Sequence, residues 1–435
     1  MIEEKLPNTL FILGNGFDIQ CGLRTSYINF MECKFKNEVI INELSKVIDE
    51  ATSKYHYMDG KLEIIDNYDN IGELSIWYII LLYKKQNKNS DWSNIENQIL
   101  EELREVDNGE GKTLNIIDKF AIALLNELKN KSYSNSEMIY PNDIDNIYGV
   151  LAYILLKIRK GEVLLEKINQ VFEEYVENNI IKNTKLFEKL KDIAAEILLK
   201  ELHVLENDFK LYLEDEIKNK SEKYSKNTIS LFRSLYHKNY NIMKNKDNNK
   251  ICFNILSFNY TSPWISQSGN IYDYYFIHLD KYINIHGNYK FGNIIFGIDE
   301  DKISYNKREY LFTKTSRTLE LYTDEAKHYR TSIQELLPNT IKKVVFYGHS
   351  LSEADYGYFR LVFDKYINNN EVCFEFYFSV YEGTTKEEEM KKLRNRITIM
   401  FGKYSEEKLE NRYVFVNLIQ TKRIILLELN NCDYK

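Results

Sequence analysis

Thr9-Leu10-Phe11-Ile12-Leu13 is a short apolar run without a charge that stops at Gly14, the pattern of a strand buried on both faces of a parallel sheet. From about residue 35 to 245 the pattern changes, and apolar residues recur at three- and four-residue spacing, as in Ile116 to Leu128, Ile144 to Ile158 and Ala194 to Leu213. That spacing predicts helices. Ile76 to Tyr83 (IWYIILLY) predicts a buried helix, because it is too short for a bilayer span and ends in Lys84-Lys85. After Ile251 short strand-like runs return: Cys252 to Phe258, Tyr282 to Ile285, Asn293 to Phe296, Val344 to Tyr347, Val372 to Val380, Tyr413 to Val416 and Ile424 to Leu429. Helical stretches at Asp355 to Tyr366 and Lys386 to Met400 separate several of them, the alternation of a parallel sheet with crossover helices. The expected fold is therefore α/β, a Rossmann-like, mostly parallel sheet flanked by helices, with a large all-helical insertion after the first strand and helix. The expected domains are 1–34 plus 250–435 for the sheet and 35–249 for the insertion.

Composition narrows this picture. The 435 residues are 44% hydrophobic and 14% aromatic, enough for one large core or two ordinary ones, and only 4 Pro and 17 Gly argue against an all-β chain with many tight turns. A net charge of −7 argues against a general nucleic-acid surface, and the basic, Asn-rich stretch Lys218 to Lys250 reads as a solvated face or loop. Five scattered cysteines without a CxxC pair give neither a zinc ribbon nor a disulfide framework. No leader-like sequence opens the chain and no run of 18 apolar residues occurs, so a cytoplasmic, membrane-free protein is expected.

Four turns carry candidate chemistry. Gly14-Asn15-Gly16-Phe17-Asp18 follows the first strand and opens a helix, where glycines let a pyrophosphate approach the backbone and N–H groups favour its charge. The third glycine of the dinucleotide fingerprint is missing, so a tight turn without a ligand is an equal reading. Thr25, Ser26 and their neighbours add polar groups nearby. Asn259, in Ser257-Phe258-Asn259-Tyr260-Thr261, ends the next strand, and strand ends converge in an open sheet, so Asn259 and Asp18 can be neighbours. Its amide suits a ribose or a water, although Asn is also a common turn former. Of seven histidines, only His286 and His349 stand at expected strand ends beside glycine, and an imidazole is the natural general base near neutral pH. Gly348-His349-Ser350 leads into Ser352-Glu353-Ala354-Asp355, either a helix cap alone or further donors for a ribose or phosphate.

Together GNGFD with GLRTSY, SFNYT, IHG and GHSLSEAD resemble the AbiH family of bacterial phage abortive-infection proteins, over residues 13 to 30 and 256 to 360. Trp92-Ser93-Asn94-Ile95-Glu96 and Leu205-Glu206-Asn207-Asp208-Phe209 match that family's pattern more loosely; Trp92 and Glu96, four apart, are expected on one helical face. The order of pieces is also similar, distantly, to the sirtuin-type NAD-binding fold, without its four-cysteine zinc module. The resemblance implies an antiphage effector that binds and hydrolyses NAD as substrate, with no cofactor required. In that reading Asn259, His286 and Asp18 are catalytic, and Gly14, Asn15, Gly16, Phe17, Thr25, Ser26, Gly348, His349 and Ser350 bind the dinucleotide. A homo-oligomer and a phage-derived trigger or defence partner are expected with it. A nucleotide sensor that does not cleave, and a nuclease, are the alternatives.

Overall fold

The computed structural model describes residues 6–36, 41–46, 74–87, 92–104, 114–132, 147–155, 166–171, 173, 184–237, 251–264, 277–291, 294–298, 303–320, 332–380, 383–407 and 413–429. The ends of the expected helix Ile144 to Ile158, Asn293, and 238–250 of the basic stretch lie outside the described residues.

The chain forms two compact units. One comprises Met1–Ser26, Lys210–Ile295 and Thr318–Lys435; the other comprises Tyr27–Phe209 and Phe296–Arg317. Both are discontinuous, with divisions after 26, 209, 295 and 317 where the sequence suggested 34 and 249.

Among the described residues the first unit holds six strands: β1 (Thr9–Leu13), β2 (Ile251–Ser257), β3 (Ile277–Asn284), β4 (Lys343–Tyr347), β5 (Cys373–Phe378) and β6 (Ile424–Glu428). They form one sheet in the order β3-β2-β1-β4-β5-β6, with every pairing parallel. This is the doubly wound order, whose direction of winding reverses between β1 and β4. Successive residues of each strand serve opposite faces, as the two-residue period requires. Leu10, Ile12, Leu256, Val344, Phe346 and Phe374 join one core, and Phe11, Leu13, Phe253, Ile255, Val345 and Tyr347 the other.

The described helices are α1 (Asn15–Gln20), α2 (Tyr27–Lys34), α3 (Ile76–Asn87), α4 (Ile95–Leu103), α5 (Ile116–Ser132), α6 (Ile147–Tyr153), α7 (Thr184–His237), α8 (Lys314–Glu320), α9 (Ile333–Leu336), α10 (Tyr356–Tyr366), α11 (Lys386–Glu407) and α12 (Val414–Gln420). On one face of the sheet Phe359 and Phe363 of α10 and Phe401 of α11 fill the core. On the other, Phe17 of α1 and Leu231, Phe232 and Leu235 of α7 do so. With 54 residues and neither Gly nor Pro, α7 runs unbroken, and the division at residue 209 falls inside it. Part of the stretch read as a solvated face or loop is thus the helical end of α7, with Tyr224, Leu231 and Phe232 buried.

Two expected strands are absent. Tyr413 to Val416 opens α12, with Tyr413 as N-cap and Phe415 stacked on Phe401 at 5.3 Å. Four apolar residues fit either period, and packing on α11 decides. In Asn293 to Phe296, Ile294–Phe296 is buried but irregular, its amides bonded to the His286 carbonyl and the Glu206 carboxylate instead of a neighbouring strand.

In the second unit the looser sequence matches serve packing. Glu206 accepts from the Phe296 N–H and pairs with buried Arg317 at 2.8 Å, while Phe209 packs against Tyr27, Phe30 and Phe296. Glu96 pairs with Lys314 at 3.2 Å. Trp92 does not share a helix with Glu96, because Asn94 caps α4 by accepting from the Asn97 N–H. An Asn before an apolar run is a helix start, and it separates the two residues.

Candidate functional site

The sheet register sets the last residues of four strands level: Leu13 lies beside Ser257 and Tyr347, and Ser257 beside Asn284. The turns that follow β1, β2, β3 and β4 therefore emerge along one edge and carry Asp18, Asn259, His286 and His349. Crevices at the carboxyl ends of such strands are where open α/β sheets bind ligands.

At the reversal point the two glycine turns lie directly on each other. The Gly14 N–H donates to the Tyr347 carbonyl, the Gly16 N–H to the Gly348 carbonyl at 2.8 Å, and the Phe17 N–H back to the Gly14 carbonyl. A Cβ on Gly16 would lie 2.7 Å from the Gly348 Cα, and one on Gly348, whose φ is +68°, would lie 2.3 Å from the Phe17 nitrogen. Three amides that the sequence offers to a pyrophosphate are thus bonded within the protein. Asn15 is exposed and accepts from the Thr25 hydroxyl at 2.5 Å; Ser26 is half-buried and Ser350 exposed.

Beside this interlock, α1 carries Asp18 inward, where it is 1% exposed. The Tyr224 and Thr261 hydroxyls donate to its two oxygens, each at 2.6 Å. Burial raises its pKa from 3.8 to about 6, against the lowering pull of Thr261, Tyr224 and the Asn259 amide. Asn259 is 3% exposed, and although its amide lies close enough to Asp18 to lower the carboxyl pKa, neither Oδ1 nor Nδ2 makes a hydrogen bond of normal geometry to a described residue. Its backbone is fixed, because the Asn284 amide donates to the carbonyls of Asn259 and Thr261 at 2.7 and 2.8 Å.

Tyr224 comes from α7. One stripe of that helix, at three- and four-residue spacing, holds the chain after α1: Tyr212 donates to the Arg24 carbonyl, Glu216 accepts from the Arg24 N–H, Lys220 donates to the Gly22 carbonyl and Asn227 to the Cys21 carbonyl. Sequence reasoning missed Tyr224; its signal was this polar stripe within an otherwise lysine-rich stretch.

Across the edge, Asp355 joins the two histidines. Its Oδ1 lies 3.1 Å from His286 Nε2 and its Oδ2 3.4 Å from His349 Nε2. His349 Nδ1 accepts from the Leu351 N–H at 2.8 Å, which places its proton on Nε2, toward Asp355. Phe258 packs edge-on against both imidazoles, at 5.6 and 4.4 Å between centroids. Asp355 was legible only as an acidic residue at the start of a capped helix; it stands at the N-cap of α10 without a side-chain cap bond, and its carboxylate faces the histidines.

This sequence, from β1 through β5, matches the model of the family described as Bacteriophage abortive infection AbiH over residues 10–377. The chain belongs to the AbiH family. An AbiH chain is thereby assigned to phage abortive infection, and the matched span contains Asp18, Tyr224, Asn259, Thr261, His286, His349 and Asp355. No curated protein and no solved structure matches it. In this AbiH chain no helix among the described residues is long and apolar enough to cross a membrane. Nor do the described His, Cys, Asp and Glu residues form a group of three or more suited to a metal ion.

Proposed function

We propose that the chain acts in abortive infection by binding a nicotinamide dinucleotide at the carboxyl edge of β1, β2, β3 and β4 and hydrolysing the bond between nicotinamide and ribose. The observation that carries this reading is Asn259, a buried amide at a strand end, beside Asp18, whose donor and acceptor make no hydrogen bond of normal geometry among the described residues. Buried polar groups are normally satisfied, so one held rigidly without a partner fits a site that a ligand or water completes.

The chemistry asks little of an acid. As the C–N bond breaks, its electron pair returns to the ring nitrogen, nicotinamide leaves neutral, and positive charge develops on the ribose. Asp18, ionised at neutral pH, stabilises that charge; Asn259 orients the ribose or the attacking water. His286, whose Nε2 lies 3.1 Å from an Asp355 carboxylate oxygen, takes the proton of the attacking water, giving nicotinamide and ADP-ribose. Because the amides of Gly14, Gly16 and Phe17 are bonded internally, Ser350, Asn15, Thr25 and Ser26 are left to hold the diphosphate and riboses. The same commitment favours a second reading, a sensor that binds the dinucleotide without cleaving it.

The test is intracellular NAD, measured after expression with and without phage. NAD should collapse in infected cells carrying wild type and persist with Asn259→Ala or His286→Ala. Collapse with both variants removes the catalytic assignment, and protection without NAD loss favours the sensor.

A further inference from the structure

The two edges of the sheet are built differently. β3, at one edge, carries His278, Asp280 and Lys281; Lys281 pairs with Glu335 at 3.0 Å, and the register of β3 against β2 shifts between Phe253 and Ile255. Charges and irregular register are the usual means by which an edge strand is kept from pairing with another chain. β6, at the opposite edge, reads Ile-Ile-Leu-Leu-Glu, with no proline and an even register against β5, and its one charge is its last residue. All five residues are half-buried, and among the described residues no strand pairs with its outer side. The ladder to β5 fixes which backbone groups face outward. The Arg423 carbonyl accepts from the Phe374 N–H and the Leu429 N–H donates to the Phe378 carbonyl, so by alternation the N–H and C=O groups of Ile424, Leu426 and Glu428 point away from the sheet. Just before the strand, α12 exposes Tyr413, Val416 and Ile419 at three-residue spacing, on the side opposite buried Leu418.

We propose that β6 is a dimerisation edge, where a second copy of this chain pairs antiparallel about a two-fold axis at Ile425 and the two sheets become one. The inference is independent of the dinucleotide reading. A two-fold axis normal to the sheet sets two identical edge strands antiparallel, so one surface serves both partners. Charge selects the register. With Ile425 opposite its own copy, Ile424 lies opposite Leu426, and Lys422, exposed in the turn before the strand, comes level with Glu428 on both sides of the axis. Apolar side chains then meet apolar ones, and a cation meets a carboxylate. Glu428 already pairs with Lys386 at 2.5 Å and is 25% exposed, which leaves it open to a second cation. The same register joins the outward N–H and C=O of Ile424 to those of Leu426 in the second copy, twice by symmetry, and puts Ile425 against itself in the close position that carries no hydrogen bond. An axis at Leu426 instead sets Glu428 opposite Ile424 and leaves Lys422 beyond the strand. The exposed stripe of α12, joined to β6 by the turn at Thr421 and Lys422, extends the contact with apolar area that a five-residue strand lacks.

The test is the mass of the full chain in solution, by sedimentation equilibrium over a concentration series. Wild type should approach twice its chain mass of 51.9 kDa. Lys422→Glu, which sets carboxylates against each other at both ends of the paired strands, should raise the dissociation constant about tenfold or more, and adding Glu428→Lys to it should restore the dimer. Ile425→Cys should give a covalent dimer under mild oxidation that wild type treated alike does not, because this register brings position 425 to its own copy. Circular dichroism establishes that each variant is folded, and the cysteine variant decides the register should the double charge reversal unfold. A monomeric wild type overturns the proposal; amides of Ile424, Leu426 and Glu428 protected from hydrogen exchange in that monomer would assign the edge to another segment of the chain. A dimer that is indifferent to Lys422→Glu and is not cross-linked through Ile425→Cys uses another face, and overturns it as well.

Discussion

Where Gly14, Gly16 and Gly348 meet, backbone lies on backbone, amides are bonded to carbonyls, and no side chain fits between them. Next to them, Asp18 and Asn259 are buried side chains, one with no cationic group acting on it and the other with no hydrogen bond of normal geometry among the described residues. The first patch is optimised for stability and the second is not. A fold tolerates groups like the second only where something other than packing retains them, which makes the quieter residues, not the glycine motif, the place to look for chemistry.

The contrast can be broken from the packed side. Gly348→Ala forces a Cβ against the Phe17 nitrogen at a φ of +68°, so it should destabilise the fold by about 3 kcal/mol or more, read as a large drop in Tm. A well-folded alanine variant would mean the two turns can separate and that their amides are open to a ligand after all.

From the other side, Asp18→Asn should stabilise. The Asp18 carboxyl holds its proton more tightly folded than unfolded, so its contribution is most favourable below the ordinary value of 3.8 and is lost as pH rises through about 6. At pH 7.5 the wild type therefore carries a burden of up to about 3 kcal/mol that the amide removes, with the gain vanishing near pH 4. Denaturation of both proteins at the two pH values checks it. A variant that loses stability equally at both would make Asp18 a structural residue.

The smallest effect belongs to Ser350. Exposed on the turn after β4, Ser350→Ala should leave stability within about 0.5 kcal/mol, yet weaken dinucleotide binding up to about tenfold if its hydroxyl meets a ribose or phosphate. Unchanged affinity would confine recognition to the Asp18 and Asn259 side.

Much of the sheet was legible in advance because its strands are short apolar runs, and β1, Thr9–Leu13, is uncharged and stops at Gly14. The adjacency of Asp18 and Asn259 followed from strand-end convergence alone. What escaped was the partner side of each contact. That Gly16 would be closed off by Gly348 depends on the alignment of β1 with β4, which strand order determines and local pattern does not contain. Tyr224 sat in a stretch whose lysines dominate its character, and only its helical phase, shared with Tyr212, Glu216, Lys220 and Asn227, marks it. Asp355 looked like a first-turn acid behind a Ser352 cap, because Ser-x-x-Asp before a helix usually reads that way. Tyr413 to Val416 failed for lack of length.

The interlock of Gly14 and Gly16 with Gly348 also has a consequence in time. The first turn leaves the ribosome before its closing partner and Asp355, which are made some 340 residues later. At ordinary bacterial elongation rates that interval is roughly 20 to 70 s. Until β4 is made, the amides of Gly14 and Gly16 lack the Tyr347 and Gly348 carbonyls that close this turn, so the interlock is a product of the finished chain.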